Sequence, residues 1–186
     1  MEDNYLKSAK QLFAYYKSLG ENTFDQLRDE DFFWEADDKS NSIAVIIQHI
    51  AGNMLSRWTD FLTSDGEKEW RVREQEFERY LESREACLEK WEEGWFCLFK
   101  ALDAVNGENI KDTIYMRAKG HSVVEAINRQ LAHYAYHIGQ IVFIGRQRSN
   151  AWASLSIPKG ESKAYNQKSF DEGQRIEHFT DEFLKK

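Results

Sequence analysis

The sequence predicts an all-α fold, a four-helix bundle with a C-terminal extension, and three observations carry that prediction. Apolar residues recur at intervals of three and four in four separate segments. The 186 residues contain a single proline, Pro158. Because proline costs roughly 3 kcal/mol in a helix interior, its scarcity leaves room for long uninterrupted helices. Aromatic residues make up 14% of the chain, enough bulk for one sizeable core. No shift in composition divides the sequence, so one domain is expected over residues 1–186, with its core at about 2–148 and the extension at 149–186.

In the first helix, Tyr5, Ala9, Leu12, Tyr16 and Leu19 step along one face, and Gly20 is expected to end it. The second carries Ile43, Ile47, Ile50, Met54, Trp58 and Phe61, preceded by the cap candidates Ser40, Asn41 and Ser42. The third is read from Phe77, Leu81, Leu88, Trp91, Trp95, Leu98 and Leu102, with Arg84 as the charged member of the stripe. The fourth runs through Val124, Ile127, Leu131, Tyr134, Ile138 and Ile141 to Gly145, and opens on Ser122-x-x-Glu125, the form of a capping box. Connectors at 20–41, 64–72 and 105–121 are long enough for crossovers, so simple up-down-up-down connectivity is not dictated. Beyond Gly145 the periodicity breaks, and the charged tail has room for one short helix.

Charge and composition narrow the function. A formal net charge of −7 argues against a nucleic-acid-binding role, which rests largely on clustered Lys and Arg. Cys87 and Cys97 fall within one predicted helix, where ten residues span about 15 Å, too far for a disulfide. The N-terminal Met1-Glu2-Asp3-Asn4 has neither the basic nor the apolar region of a signal peptide. The longest uncharged stretch, from Ser40 up to Arg57, includes Gln48, His49 and Asn53 and makes a poor membrane span. A cytoplasmic protein with a small-molecule substrate, and no nucleic-acid or membrane partner, is expected.

The most informative string is Gln130-Leu131-Ala132-His133-Tyr134-Ala135-Tyr136-His137-Ile138-Gly139-Gln140. At about 100° per residue, His133 and His137 lie one turn apart on one helix face, where two imidazoles can converge on a cation. Spacing alone is equally compatible with two histidines on a polar stripe, one hydrogen-bonded in the core. His49 adds weight, because it sits in the apolar segment Val45-Ile46-Ile47-Gln48-His49-Ile50, where a lone imidazole needs a partner. Ser42, Asn53, Ser56 and Asp60 share its face, so two polar stripes can meet across a bundle. Three histidines, His49, His133 and His137, would leave a fourth metal position open, as in a catalytic site. A hydrogen-bonded core histidine is the competing reading of His49. His121 reads as a surface or cap residue, and His178 as a solvated one. Asn53, Gln130 and Gln140 are candidates to orient a ligand, and Tyr134 or Tyr136 to donate a proton. Glu125 reads as a cap, and Arg129 as either an anion contact or a surface residue.

Trp34, Ser40-x-Ser42-Ile43, His49-Ile50-Ala51-Gly52-Asn53 and His133-x-x-x-His137-x-x-Gln140, in that order, resemble the DinB-like (YfiT-like) superfamily of metalloenzymes. Arg57-Trp58-Thr59-Asp60-Phe61-Leu62, His121-Ser122-Val123 and Leu155-Ser156-Ile157-Pro158-Lys159-Gly160 resemble an uncharacterised branch of it, and the likeness covers about residues 5–166. The resemblance implies an up-down-down-up four-helix bundle, often a homodimer, with a divalent metal ion, nickel or zinc, on His49, His133 and His137. It implies either transfer of a low-molecular-weight thiol such as bacillithiol or mycothiol, or metal-dependent hydrolysis. A non-catalytic small-molecule or metal-binding protein is the reading from another class.

Overall fold

The computed structural model describes residues 2–184 and is predominantly helical. Four long helices form its body: α1 (Glu2–Phe24), α2 (Ile43–Trp58), α3 (Arg84–Asp103) and α4 (Val123–Arg148). Helix α2 packs along α3 and α1 along α4, and α2 also touches α4. One continuous core gathers Phe13 from α1, Ile47 and Met54 from α2, Trp91 and Trp95 from α3, and Tyr134 and Ile138 from α4.

Local chemistry explains most of the boundaries. Ser42 caps α2 by accepting from the Val45 N–H, and Ser83 caps α3 through the Ala86 N–H. Ser122 and Glu125 form the expected reciprocal box at the start of α4. Gly20 does not end α1, which continues to Phe24. Its role is steric: a Cβ there would stand 2.5 Å from the Trp91 ring. At Gly94 the backbones of α3 and α2 approach so closely that a Cβ would lie 2.9 Å from the Ala51 Cα.

Three segments depart from the sequence expectation. Helix α3 begins at Arg84, so Phe77 and Leu81 precede it; Phe77 closes a short 3-10 helix, Arg73–Phe77. The connector at 105–121 contains an antiparallel hairpin, β1 (Thr113–Met116) and β2 (Lys119–Ser122), with Met116 opposite Lys119. Its turn residues Arg117 and Ala118 both have positive φ, and their N–H groups donate to the Asp65 carboxylate at 2.8 and 2.7 Å. The tail forms two short helices, α5 (Ser162–Asp171) and α6 (Asp181–Leu184). His178 is half-buried rather than solvated, bonded to Ser8 Oγ at 2.9 Å and Thr180 Oγ1 at 2.7 Å, which ties the tail to α1. Among the described residues, no helix is long and apolar enough to cross a membrane.

Candidate metal centre

Helix α2 is buried on nearly every side, so each of its polar side chains needs a partner. Gln48 finds four. Its Nε2 donates to the carbonyls of Glu76 and Glu78 at 3.1 and 3.0 Å, and its Oε1 accepts from the N–H groups of Tyr80 and Leu81 at 3.0 and 2.9 Å. One amide thus fastens the 76–81 backbone along α2. Farther along the helix, Ser56 donates to the Gly66 carbonyl at 2.6 Å, and Arg57 meets that carbonyl and the Glu67 carboxylate.

The fastened segment delivers a carboxylate to His49. Glu76 is buried, and its Oε2 lies 3.0 Å from His49 Nδ1. Arg71 grips the same carboxylate with two bonds, Nε to Oε1 at 2.7 Å and Nη2 to Oε2 at 2.9 Å. Burial pushes the Glu76 carboxyl up, but the bonds from His49 and Arg71 outweigh it and hold it below the ordinary range. An ionised carboxylate only accepts, so His49 Nδ1 carries the proton it donates and a neutral ring leaves its lone pair on Nε2. Gly52 makes the approach possible, since a Cβ there would stand 2.4 Å from Glu76 Oε1.

His133 and His137 complete the cluster from α4. The three ring centroids are separated by 5.4 Å (His49–His133), 4.9 Å (His49–His137) and 4.8 Å (His133–His137). One nitrogen from each ring lies within 4.8 Å of the other two. His49 Nε2 and His133 Nε2 are 3.4 Å apart. Two nitrogens each about 2.0–2.1 Å from a tetrahedral ion stand roughly 3.4 Å apart, so the pair suits a shared cation. His137 Nδ1 donates to Gln140 Oε1 at 2.8 Å, which turns its Nε2 lone pair free as well. Burial, reinforced by the neighbouring imidazoles, drives the His133 pKa down to about 3. Burial likewise lowers His137 to about 4, against the opposing hydrogen bond to Gln140. Both rings are therefore neutral at physiological pH, the form that binds metal. His49 is buried and the α4 pair partly so, and the cluster faces inward from α2.

Residues 1–161 match a family model described as a protein of unknown function (DUF1572). The chain belongs to this family. Neither the curated proteins nor the solved structures give a match. Membership of DUF1572 supplies no activity of its own, so chemistry must be argued from the side chains.

The other sequence candidates sort by their contacts. Gln140 supports His137 directly. Gln130 is buried with its Oε1 unpartnered, one turn before His133. Asn53 and Tyr134 serve the core: the Tyr134 hydroxyl donates to Asn53 Oδ1 at 3.0 Å and accepts from Trp58 Nε1 at 3.2 Å. With its ring completely buried, Tyr134 has no route to a substrate. Tyr136 is exposed beside His137, and Glu125 is the cap. Gln140 also lines a cleft of about 450 Å³, together with Trp34, Ile46, Tyr136 and Phe143.

Glu76 and Arg71 were not found from sequence. They lie in a charged run that resembles any solvated surface segment, and Phe77 and Leu81 beside them stand at helical spacing. Gln48 was the available signal: a glutamine in an apolar helix needs several partners, and a nearby segment must supply them.

Proposed function

We propose that the chain is a metal-dependent enzyme of the DinB/YfiT-like kind, an up-down-down-up four-helix bundle whose His49, His133 and His137 hold one divalent ion, nickel or zinc. The observation that carries the reading is the convergence of three imidazoles, two of them backed on their remote nitrogens by Glu76 and Gln140. Such backing fixes the tautomer and direction of a ligating ring. A polar stripe without a metal role would require no such set of lone pairs aimed at one point.

When bound, the ion supplies Lewis acidity that lowers the pKa of a thiol or water sharing it. The chain does the rest. Glu76 and Gln140 hold the rings, burial keeps His133 and His137 unprotonated, and three protein donors leave a position for an exogenous ligand. The resemblance to DinB-like proteins supports transfer of a low-molecular-weight thiol to an electrophile as the reaction.

The test begins with protein purified without a histidine tag and its metal content by mass spectrometry. Near-stoichiometric nickel or zinc, lost in His137→Ala, is the expected result; metal-free protein that takes up neither ion overturns the reading. Conjugation of monobromobimane with bacillithiol, mycothiol or cysteine then reads the reaction. A thiol-dependent rate abolished by His137→Ala supports transfer. Ester hydrolysis without thiol dependence replaces transfer by hydrolysis, and metal binding without turnover of either kind makes the protein a binder.

A further inference from the structure

The charges around the histidine cluster do not neutralise a divalent ion. Glu76, the carboxylate bonded to His49, is already matched by the doubly bonded Arg71 guanidinium. Three neutral imidazoles add no negative charge. An ion there leaves a partly buried site with a net positive charge, a costly state until an anion joins it.

Two further cations lie near the cluster. Arg129 lies one helical turn before His133, roughly 6 Å away along α4. Its residue is exposed, and its guanidinium meets the Met116 sulfur at 3.9 Å. Glu125, one turn farther back, has its carboxylate engaged with Ser122 in the helix cap. Arg73 is also exposed; its guanidinium sits 5.0 Å over the Phe77 ring, and that ring lies 4.8 Å from the ring of His49. Among the described residues, neither guanidinium pairs with a carboxylate. Arg28, Arg57, Arg84, Arg117, Arg148 and Arg175 have acidic partners, while Arg79, over the Phe33 ring, and Arg146 also pair with no carboxylate among the described residues. Arg129 and Arg73 are set apart by their place, one on the helix that carries His133 and the other over the ring that packs on His49.

We infer that the histidine cluster recognises a small molecule bearing a carboxylate, which Arg129 and Arg73 grip while its reactive end reaches the three imidazoles. The guanidinium fork matches a carboxylate in two parallel bonds. The net charge of −7 disfavours a multiply charged phosphate more than a single carboxylate. This inference rests on the reading of His49, His133 and His137 as metal ligands.

The experiment uses the full chain loaded with cobalt(II), titrated with 3-mercaptopropionate and with its uncharged analogue 3-mercaptopropionamide. Binding is followed by the thiolate-to-cobalt absorption band. The acid is expected to bind at least tenfold more tightly than the amide, and the double variant Arg129→Gln/Arg73→Gln to bind both alike. Equal affinities in the native protein, no thiolate band with either compound, or a preference that survives the double substitution overturns the inference. Absence of the cobalt d–d spectrum before any thiol is added is a separate failure, that of the metal reading underneath.

Discussion

Replacing Gly52 with alanine probes the arrangement behind His49 without touching a histidine. The added Cβ would stand 2.4 Å from Glu76 Oε1 and 2.9 Å from its Cδ. Carbon and oxygen need about 3.3 Å, so the carboxylate must retreat by about 1 Å. It cannot do so freely, because Arg71 pins both oxygens. The 3.0 Å bond to His49 Nδ1 is then stretched past useful hydrogen-bond length. Loss of an outer partner from a ligating histidine costs about 10- to 100-fold in metal affinity, or about 1.4–2.7 kcal/mol. Fold stability should move less, since alanine gains about 1 kcal/mol of helix propensity over glycine and offsets part of the disturbance. The assay is a competitive zinc titration of metal-free protein against a chromophoric chelator, with circular dichroism to verify the fold. A folded Gly52→Ala protein that binds zinc within twofold of native would refute the claim that Glu76 positions His49.

Three other expectations follow from the same geometry. Metal-free protein should lose stability as the pH falls from about 6.5 towards 4, because His133 and His137 stay neutral in the fold but take up protons when unfolded. Urea unfolding across that range should show a shallower slope for His133→Ala/His137→Ala, and an unchanged slope contradicts the assignment. Tyr134→Phe strips a buried hydroxyl from Trp58 and Asn53 and should cost about 1–3 kcal/mol, yet leave zinc affinity within about threefold. A large loss of affinity would give Tyr134 a role at the metal after all. Gly94→Ala forces α3 away from the Ala51 backbone and should cost about 1–3 kcal/mol, seen as a fall of about 2–4 °C in Tm per kcal/mol. An unchanged Tm would mean that the helix contact is slack.

How far the sequence could be read depended on whether a signal was local. The Ser122–Glu125 box and the Ser42 cap are written within four residues of each other and were legible as such. The i, i+4 spacing of His133 and His137 puts both on one face by helix geometry alone, and the apolar setting of His49 pointed to a partner. What escaped depended on pairing at a distance. In the 113–122 hairpin the second strand, Lys119-Gly120-His121-Ser122, has no alternating apolar pattern, and the turn is held by Asp65 from another connector. Gly20 and Phe77 misled for related reasons. A glycine looks like a stop unless the Trp91 ring that fills its place is known, and an aromatic at helical spacing looks like core although Phe77 lies against a histidine. Glu76 is silent in sequence because only the fold distinguishes it from the acidic residues around it.

Gln48 and His49 are neighbours in the chain, yet one ties down the backbone near residue 76 and the other receives the carboxylate from it. The stretch between tie and carboxylate therefore works as a ruler. One extra residue inserted between 76 and 81 would put the four bonds to Gln48 out of register and carry the acid out of reach of the imidazole. An equal insertion near residues 106–109, where the backbone turns in solvent, would disturb nothing at the cluster. Chains built on this plan should vary in length at the second place and hold the first to a fixed count.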